Sequence, residues 1–277
     1  MSTVPADSGH MSFWSHLDTL RGVFMRIAAI FVVAAVASFC VMPRVFDTVI
    51  LAPCHDSFPL YRLLDAIAAG NPLFPAGLAE PFDLQLASLQ LTSQFITHMT
   101  ASCWLAAIVT FPMAIYLLWG FVSPALYDHE RRGIRRAFVF GNLMFYLGVA
   151  TAYWLVFPLA VRFLATYQLS PGITAIVSLD SYMETLFTLV LLMGIVFELP
   201  LVAWLLGKMG LLTRRFFSRF RRHAVVALLI VAGLVTPTGD PFTMLAVFIP
   251  IYALWELSAR LVPRPEPEPS PSVTTTT

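Results

Sequence analysis

Charge is scarce in this chain. Asp, Glu, Lys and Arg make up 12% of its 277 residues, about half of the roughly 25% usual in soluble domains. Hydrophobic residues make up 58% and the mean hydropathy is +0.78. These figures exclude an ordinary water-soluble fold and make the bilayer the relevant solvent. Cysteine is scarce too, and Cys40, Cys54 and Cys103 have no metal-like spacing. Cys40 and Cys103 lie in apolar runs and are expected to pack there; Cys54 falls in a loop, where it reads as an outward-facing free thiol. HExxH, GxSxG and acids at helical spacing with histidines are all missing, which removes the common routes to catalysis inside a membrane. No catalytic residue, metal site, cofactor or nucleic-acid partner is therefore expected. His98 has no evident partner and reads as an interfacial residue.

What the chain has is long apolar runs, at 27–42, 99–127, 137–161, 186–206, 224–235 and 242–255. A full crossing takes about 20 residues, so the last two runs are short. The tight turn TPTGDP, 236–241, joins them, and they are expected to form a helical hairpin that still spans. A hairpin that enters without crossing is the competing reading. The first run also admits a cleaved signal sequence, with Ala35, Val36 and Ala37 as the small-residue site.

The basic residues decide the orientation. Arg21, Arg26, Arg131, Arg132, Arg135, Arg136, Lys208, Arg214, Arg215, Arg219, Arg221, Arg222, Arg260 and Arg264 fall in alternate connections and both termini, while Arg44, Arg62 and Arg162 fall in the others. This bias predicts six crossings with both termini in the cytoplasm. The fold class is thus an all-α integral membrane protein with six transmembrane helices, N-in/C-in, the last two short. One membrane domain is expected over 1–262, with a cytoplasmic N-terminal segment 1–22 and an outward cap loop 43–94. Within that loop LYRLLDAIAAG and LQLASLQL are spaced as short amphipathic helices. The tail, 263–277, is too rich in proline, acids and threonine to bury a core and is expected to be disordered.

Two acids stand out. Glu198, in VFELPL, lies deep in the fourth run, where an ionisable group costs several kcal/mol unless it faces protein, water or a partner helix. Glu184, 14 residues earlier, falls near the outer surface on roughly the same face. Glu198 either serves a function or hydrogen-bonds within its own bundle, at backbone loosened by Pro200. Glu130, in YDHERRGIRR, is the second. If that loop is helical, Asp128 pairs with Arg131 and Arg132, but Glu130 meets only Gly133 and Ile134. Bordered by Phe121 and Tyr127, it either receives a guanidinium bidentately or is an exposed acid balancing the arginines.

FVSPALYDHERR, 121–132, resembles the first cytoplasmic loop of the TatC family, the receptor and core subunit of the twin-arginine protein translocase. HLDTLR (16–21) before it, and AYWLVFPLA (152–160), FELP (197–200), TPTGDPF and IPIYALWE (249–256) after it, resemble the family's segments in the same order. The resemblance implies a concave fold in the bacterial or archaeal cytoplasmic membrane. It further implies that the N-terminal segment and first loop bind the paired arginines of signal peptides on folded cargo, with Glu130, Phe121, Pro124, Asp18 and Arg21 at the site. It assigns Glu198 to contact with single-span partners of the TatA and TatB type, gives Pro53 and Asp240 roles in transport or assembly, and implies self-association. Proton-motive force drives transport in the family. There are departures. Thr19 stands where HLxELR has glutamate, with Asp18 one position earlier and rotated by about 100° on a helix; Leu117 replaces a glutamine; and TPTGDPF carries an extra residue. These leave room for a divergent paralogue with altered cargo recognition. A proton-coupled small-solute transporter using Glu198 is the rival from another class, but no inverted repeat supports it. Asp240 has a purely structural reading as the cap of the last helix.

Overall fold

The computed structural model describes residues 13–68, 84–122, 131–166, 170, 176–236 and 240–262. Among them the regular structure is helical apart from a two-residue strand pairing and a bridge at His55, with short turns and connections between the helices. Helix α1 (Phe13–Val45) continues through a π-helical turn, Phe46–Ile50, and a 3-10 turn, Ala52–Cys54. Next come α2 (Pro59–Ala68), β1 (Leu86–Ala87) and α3 (Ser93–Val122). Helix α4 (Arg131–Thr151) runs through a π-helical turn, Ala152–Val156, into α5 (Phe157–Thr166). After β2 (Val177–Ser178), α6 (Leu179–Val196) is followed by α7 (Leu199–Lys208), the short α8 (Arg214–Arg219), α9 (Arg221–Val235) and α10 (Pro241–Leu261).

Five helical stretches are long and apolar enough to cross a membrane: Leu17–Cys54, Ser93–Leu118, Phe138–Ala165, Leu179–Lys208 and Pro241–Leu261. Helix α9 holds the fifth apolar run. Its 15 residues extend only about 22 Å, and it packs against α10. The first stretch is the most outlying, with 6% of its apolar window buried, whereas the Phe138–Ala165 stretch is 50% buried and forms the middle of the bundle. The core is built there from Val156, Phe157, Leu189, Met193, Val247 and Ile251. Helices α4 and α6 approach closely because glycines line their seam. A Cβ on Gly148 would stand 2.6 Å from the Met193 carbonyl oxygen, and one on Gly194 would stand 2.7 Å from the Phe145 ring. Small residues at such seams let backbones meet in lipid, where no hydrophobic drive separates helix from hydrocarbon.

Prolines interrupt these helices, and neighbouring side chains repair the damage. A proline lacks the N–H that would bond the carbonyl four residues earlier, and lipid supplies no substitute. Pro43 lies inside α1 and frees the Phe39 carbonyl; His98 Nε2 on α3 donates to it at 3.0 Å, and the imidazole stacks on the Phe39 ring at 4.0 Å. Pro112 lies inside α3 and frees the Ile108 carbonyl, which accepts from Tyr146 on α4 at 3.2 Å. Pro53 ends the extension of α1. The carbonyls four and three residues before it, Val49 and Ile50, accept from Tyr153 at 2.7 Å and Tyr182 at 2.6 Å. His98 therefore has a specific partner that its surroundings in sequence did not disclose.

The outer cap differs from expectation in three respects. Helix α1 does not stop at Pro43 but reaches Ile50, for the reason just given. Helix α2 forms as expected, but LQLASLQL is extended: Leu86–Ala87 pairs in parallel with Val177–Ser178, and the Leu84 amide donates to the Cys54 carbonyl at 3.0 Å. The alternation Leu84, Gln85, Leu86, with both leucines against the core and Gln85 exposed, suits a period of two. Finally, the cysteine assignments reverse. Cys54 is buried in the core, while Cys40 and Cys103 are exposed on helix faces.

Candidate functional site

The first region to place is the inner end of α1 and α3. The two helices pack along each other, and the His98–Phe39 contact joins the start of α3 to the end of α1, so they run antiparallel. Asp18 lies 21 residues before Phe39, and Phe121 lies 23 residues after His98. At 1.5 Å per residue, both fall about 30–35 Å from that contact, at the same end of the pair. Asp18 and Arg21 are exposed, and Asp18 makes no ion pair with any described residue. Helix α1 is regular from Phe13 onward, so Asp18 and Thr19 point about 100° apart. Asp18 therefore does not occupy the direction of a side chain at position 19. Phe121 is half-buried at the end of α3. Pro124 and Glu130 lie outside the described residues.

The second region is the break between α6 and α7. Phe197 caps α6 and Glu198 precedes α7, with Pro200 in its first turn. The backbone there is satisfied: the Glu198 amide donates to the Ile195 carbonyl at 3.0 Å, and its own carbonyl accepts from Val202 at 3.0 Å. The side chain makes no capping bond. Its Oε1 is buried without a hydrogen-bond partner among the described residues, so no bond they make accounts for that oxygen. It rests against α4, where a Cβ on Gly141 would come within 3.1 Å of Glu198 Oε2 and 2.6 Å of Leu201 Cδ2. Next to Gly141, Asn142 donates through Nδ2 to the Phe138 carbonyl at 2.9 Å and leaves Oδ1 buried and unbonded. Glu198 is the twentieth residue of its 30-residue span, so these two unpaired acceptors lie within bilayer depth. Glu184, by contrast, is exposed on α6, one helix away across the break.

The outer side holds Pro53 and Asp240. Pro53 is buried, and its carbonyl accepts from Tyr61 at 2.9 Å. The same hydroxyl lies 3.1 Å from the Pro158 carbonyl. Burial pushes the Tyr61 phenol well above its ordinary pKa, while the Arg162 guanidinium, 5.0 Å from the ring centre, opposes that shift. Arg162 is itself buried and lies 3.8 Å from Asp65 of α2, so this cluster clamps α2 onto α5. Asp240 caps α10: its Oδ1 accepts from the Thr243 amide at 2.7 Å, with Pro241 in the first turn. The structural reading of Asp240 is thus realised. Asn142, His98 and the four tyrosines escaped sequence reasoning because each bonds to backbone or to a distant helix. For Asn142, Tyr146 and Tyr153 the one signal is a polar side chain inside an apolar run; Tyr61, His98 and Tyr182 lie outside the runs and carry none.

Known proteins agree with this geometry. The family described as Sec-independent protein translocase protein (TatC) matches residues 15–250, which places the first span inside the matched region. TatC of Blattabacterium is 28% identical over 91% of this chain and 95% of its own. TatC of Deinococcus radiodurans is 32% identical over 69% and 70%, and that of Escherichia coli K12 is 33% identical over 62% and 66%. A crystal structure of the twin-arginine translocase receptor TatC in DDM superposes with a TM-score of 0.71 at 27% identity, covering 90% of this chain and 99% of that one. A multi-pass helical membrane protein with this order of elements and this extent of similarity belongs to the TatC family, the receptor and core subunits of the twin-arginine protein translocase.

Proposed function

We propose that this chain docks twin-arginine signal peptides of folded cargo at the cytoplasmic ends of α1 and α3, and then recruits single-span partners of the TatA and TatB type around Glu198. The basic residues sorted above orient both termini toward the cytoplasm of a bacterial or archaeal membrane. Glu130 and Asp18 supply negative charge to the arginine pair, Phe121 and Pro124 border the apolar residues that follow, and Arg21 belongs to the same signal-peptide site. The apolar part of the signal then lies toward Glu198, and transport draws on the proton-motive force. Pro53 and Asp240 act through the outer cap and the last helix. The membrane domain extends over 1–262, and copies of the chain self-associate in the assembly.

The observation that carries this reading is the unpaired carboxylate of Glu198 against Gly141. An acceptor left open within the bilayer is stabilised when a partner helix brings a donor. A small-solute transporter would also use a buried acid, but membership of the TatC family removes that rival. The test of the docking half is export of a twin-arginine reporter. Glu130→Ala is expected to abolish export while the protein stays inserted, with tags at both termini digested by protease only from the cytoplasmic side. Asp18→Asn should lower crosslinking to the signal peptide. Normal export by the first variant refutes docking at Glu130, and unchanged crosslinking by the second removes Asp18 from the site.

A further inference from the structure

A cleft of about 190 Å³ opens where α8, the start of α9 and the end of α10 meet, lined by Arg214, Ser218, Arg221, Arg260, Phe217 and Glu256, with Trp255 and Ala259 behind. Nothing in signal docking or in the Glu198 region uses it. Arg221 Nε and Nη2 both lie 2.7 Å from Glu256 Oε1, which also accepts from Tyr252 at 3.1 Å. That carboxylate is committed, and it joins α9 to α10. Arg214 and Arg260 make no ion pair with any described residue and are exposed at the rim. Among the described residues three guanidiniums thus face one carboxylate, and two of the positive charges have no ion-pair partner.

The surroundings are those of a membrane edge. Arg260 ends a span, and Arg221 begins α9. Phe216 and Phe220 lie 4.8 Å apart, 40% and 38% exposed, and Met209 and Leu211, a few residues earlier in the chain, are more exposed still. Phe217 points the other way, 4% exposed and packed on Trp255 at 4.7 Å. Exposed aromatics interleaved with arginines belong at the headgroup level of a bilayer, where basic pockets between helices hold anionic heads. Phe217, Trp255 and Ala259 make one wall of the cleft apolar, and a small soluble anion would leave that wall unused. We infer that the cleft between α8 and α10 is a binding site for one anionic phospholipid, its phosphate received by Arg214 and Arg260 while its acyl chains enter the bilayer that begins at the end of α10.

The test is native mass spectrometry of the full-length protein in detergent, titrated with phosphatidylglycerol or with phosphatidylcholine of the same acyl chains. Phosphatidylglycerol should bind several-fold better than phosphatidylcholine. The double variant Arg214→Gln/Arg260→Gln should lower its occupancy about tenfold, since each basic residue near an anionic lipid contributes measurably. Arg215→Gln/Arg219→Gln carries the same charge change outside the cleft and should stay within about twofold of the unmodified protein. Soluble glycerol phosphate should not compete at equal concentration. Full retention by the first double variant, an equal loss in the second, equal binding of the two lipids or equal competition by glycerol phosphate would each overturn the assignment. Binding that emerges only after residues 263–277 are removed would also overturn it, by assigning the cleft to the chain's own Glu266 and Glu268. None of these readouts involves the signal peptide, so failure here leaves the docking reading standing.

Discussion

At the scale of single residues, buried polar atoms divide into those with partners and those left open. His98 is of the first kind. Replacing it with Phe keeps the stack on Phe39 but leaves the carbonyl freed by Pro43 without a donor. His98→Phe should therefore lower stability by about 1 kcal/mol, read as a fall of a few degrees in thermal unfolding in detergent. An unchanged midpoint would mean that the bond contributes nothing. Glu198 is of the second kind. Glu198→Ala should reduce crosslinking to a TatA- or TatB-type helix about tenfold, whereas Glu198→Gln, which still offers an acceptor, should retain most of it. Equal loss in both variants would point to charge, and no loss in either would end its role as a contact. The depth of Glu198 was legible in the sequence, because an acid in an apolar run is conspicuous. That its carboxylate is unspent was not, since this depends on where α4 places Gly141 and Asn142.

Among the elements, close approach decides what each helix tolerates. A methyl group at Gly148 would meet backbone, the Met193 carbonyl at 2.6 Å, together with Phe197 Cβ at 2.8 Å, while one at Gly22 meets nothing within 4 Å. Gly148→Ala should accordingly destabilise the protein by about 1–3 kcal/mol. Gly22→Ala should be neutral or slightly stabilising, as expected for alanine in an open helical position. Thermal unfolding of both variants checks the contrast, and equal effects would contradict the close α4–α6 seam. The order of the membrane elements was legible because lipid imposes length and apolarity on every crossing; five of the six apolar runs lie in helices long and apolar enough to span, and the fifth run forms the shorter α9. Their ends were less legible. Pro43 signalled a stop to local reasoning, but a histidine 55 residues away supplied what the backbone had lost. LQLASLQL likewise reads as a helix or as a strand until Val177–Ser178 provides a partner.

The whole molecule is a bundle whose middle stretch, Phe138–Ala165, is enclosed and whose first stretch is largely uncovered, an arrangement that leaves room for incoming helices. Its family could be read from six motifs in order. The shift from glutamate to Thr19 with Asp18 beside it was visible as a departure. Its consequence needed the structure, because only a regular α1 makes the two directions differ by about 100°. The central claim is that this surface recognises a guanidinium pair, not merely positive charge. The direct measurement is the affinity of the purified protein for a signal peptide bearing adjacent arginines, compared with the same peptide carrying two lysines. Lysine keeps the charge but lacks the planar fork that a carboxylate accepts bidentately, so the account predicts about tenfold or greater loss in the unmodified protein and little difference in Glu130→Ala. Equal binding of the two peptides by the unmodified protein would contradict it.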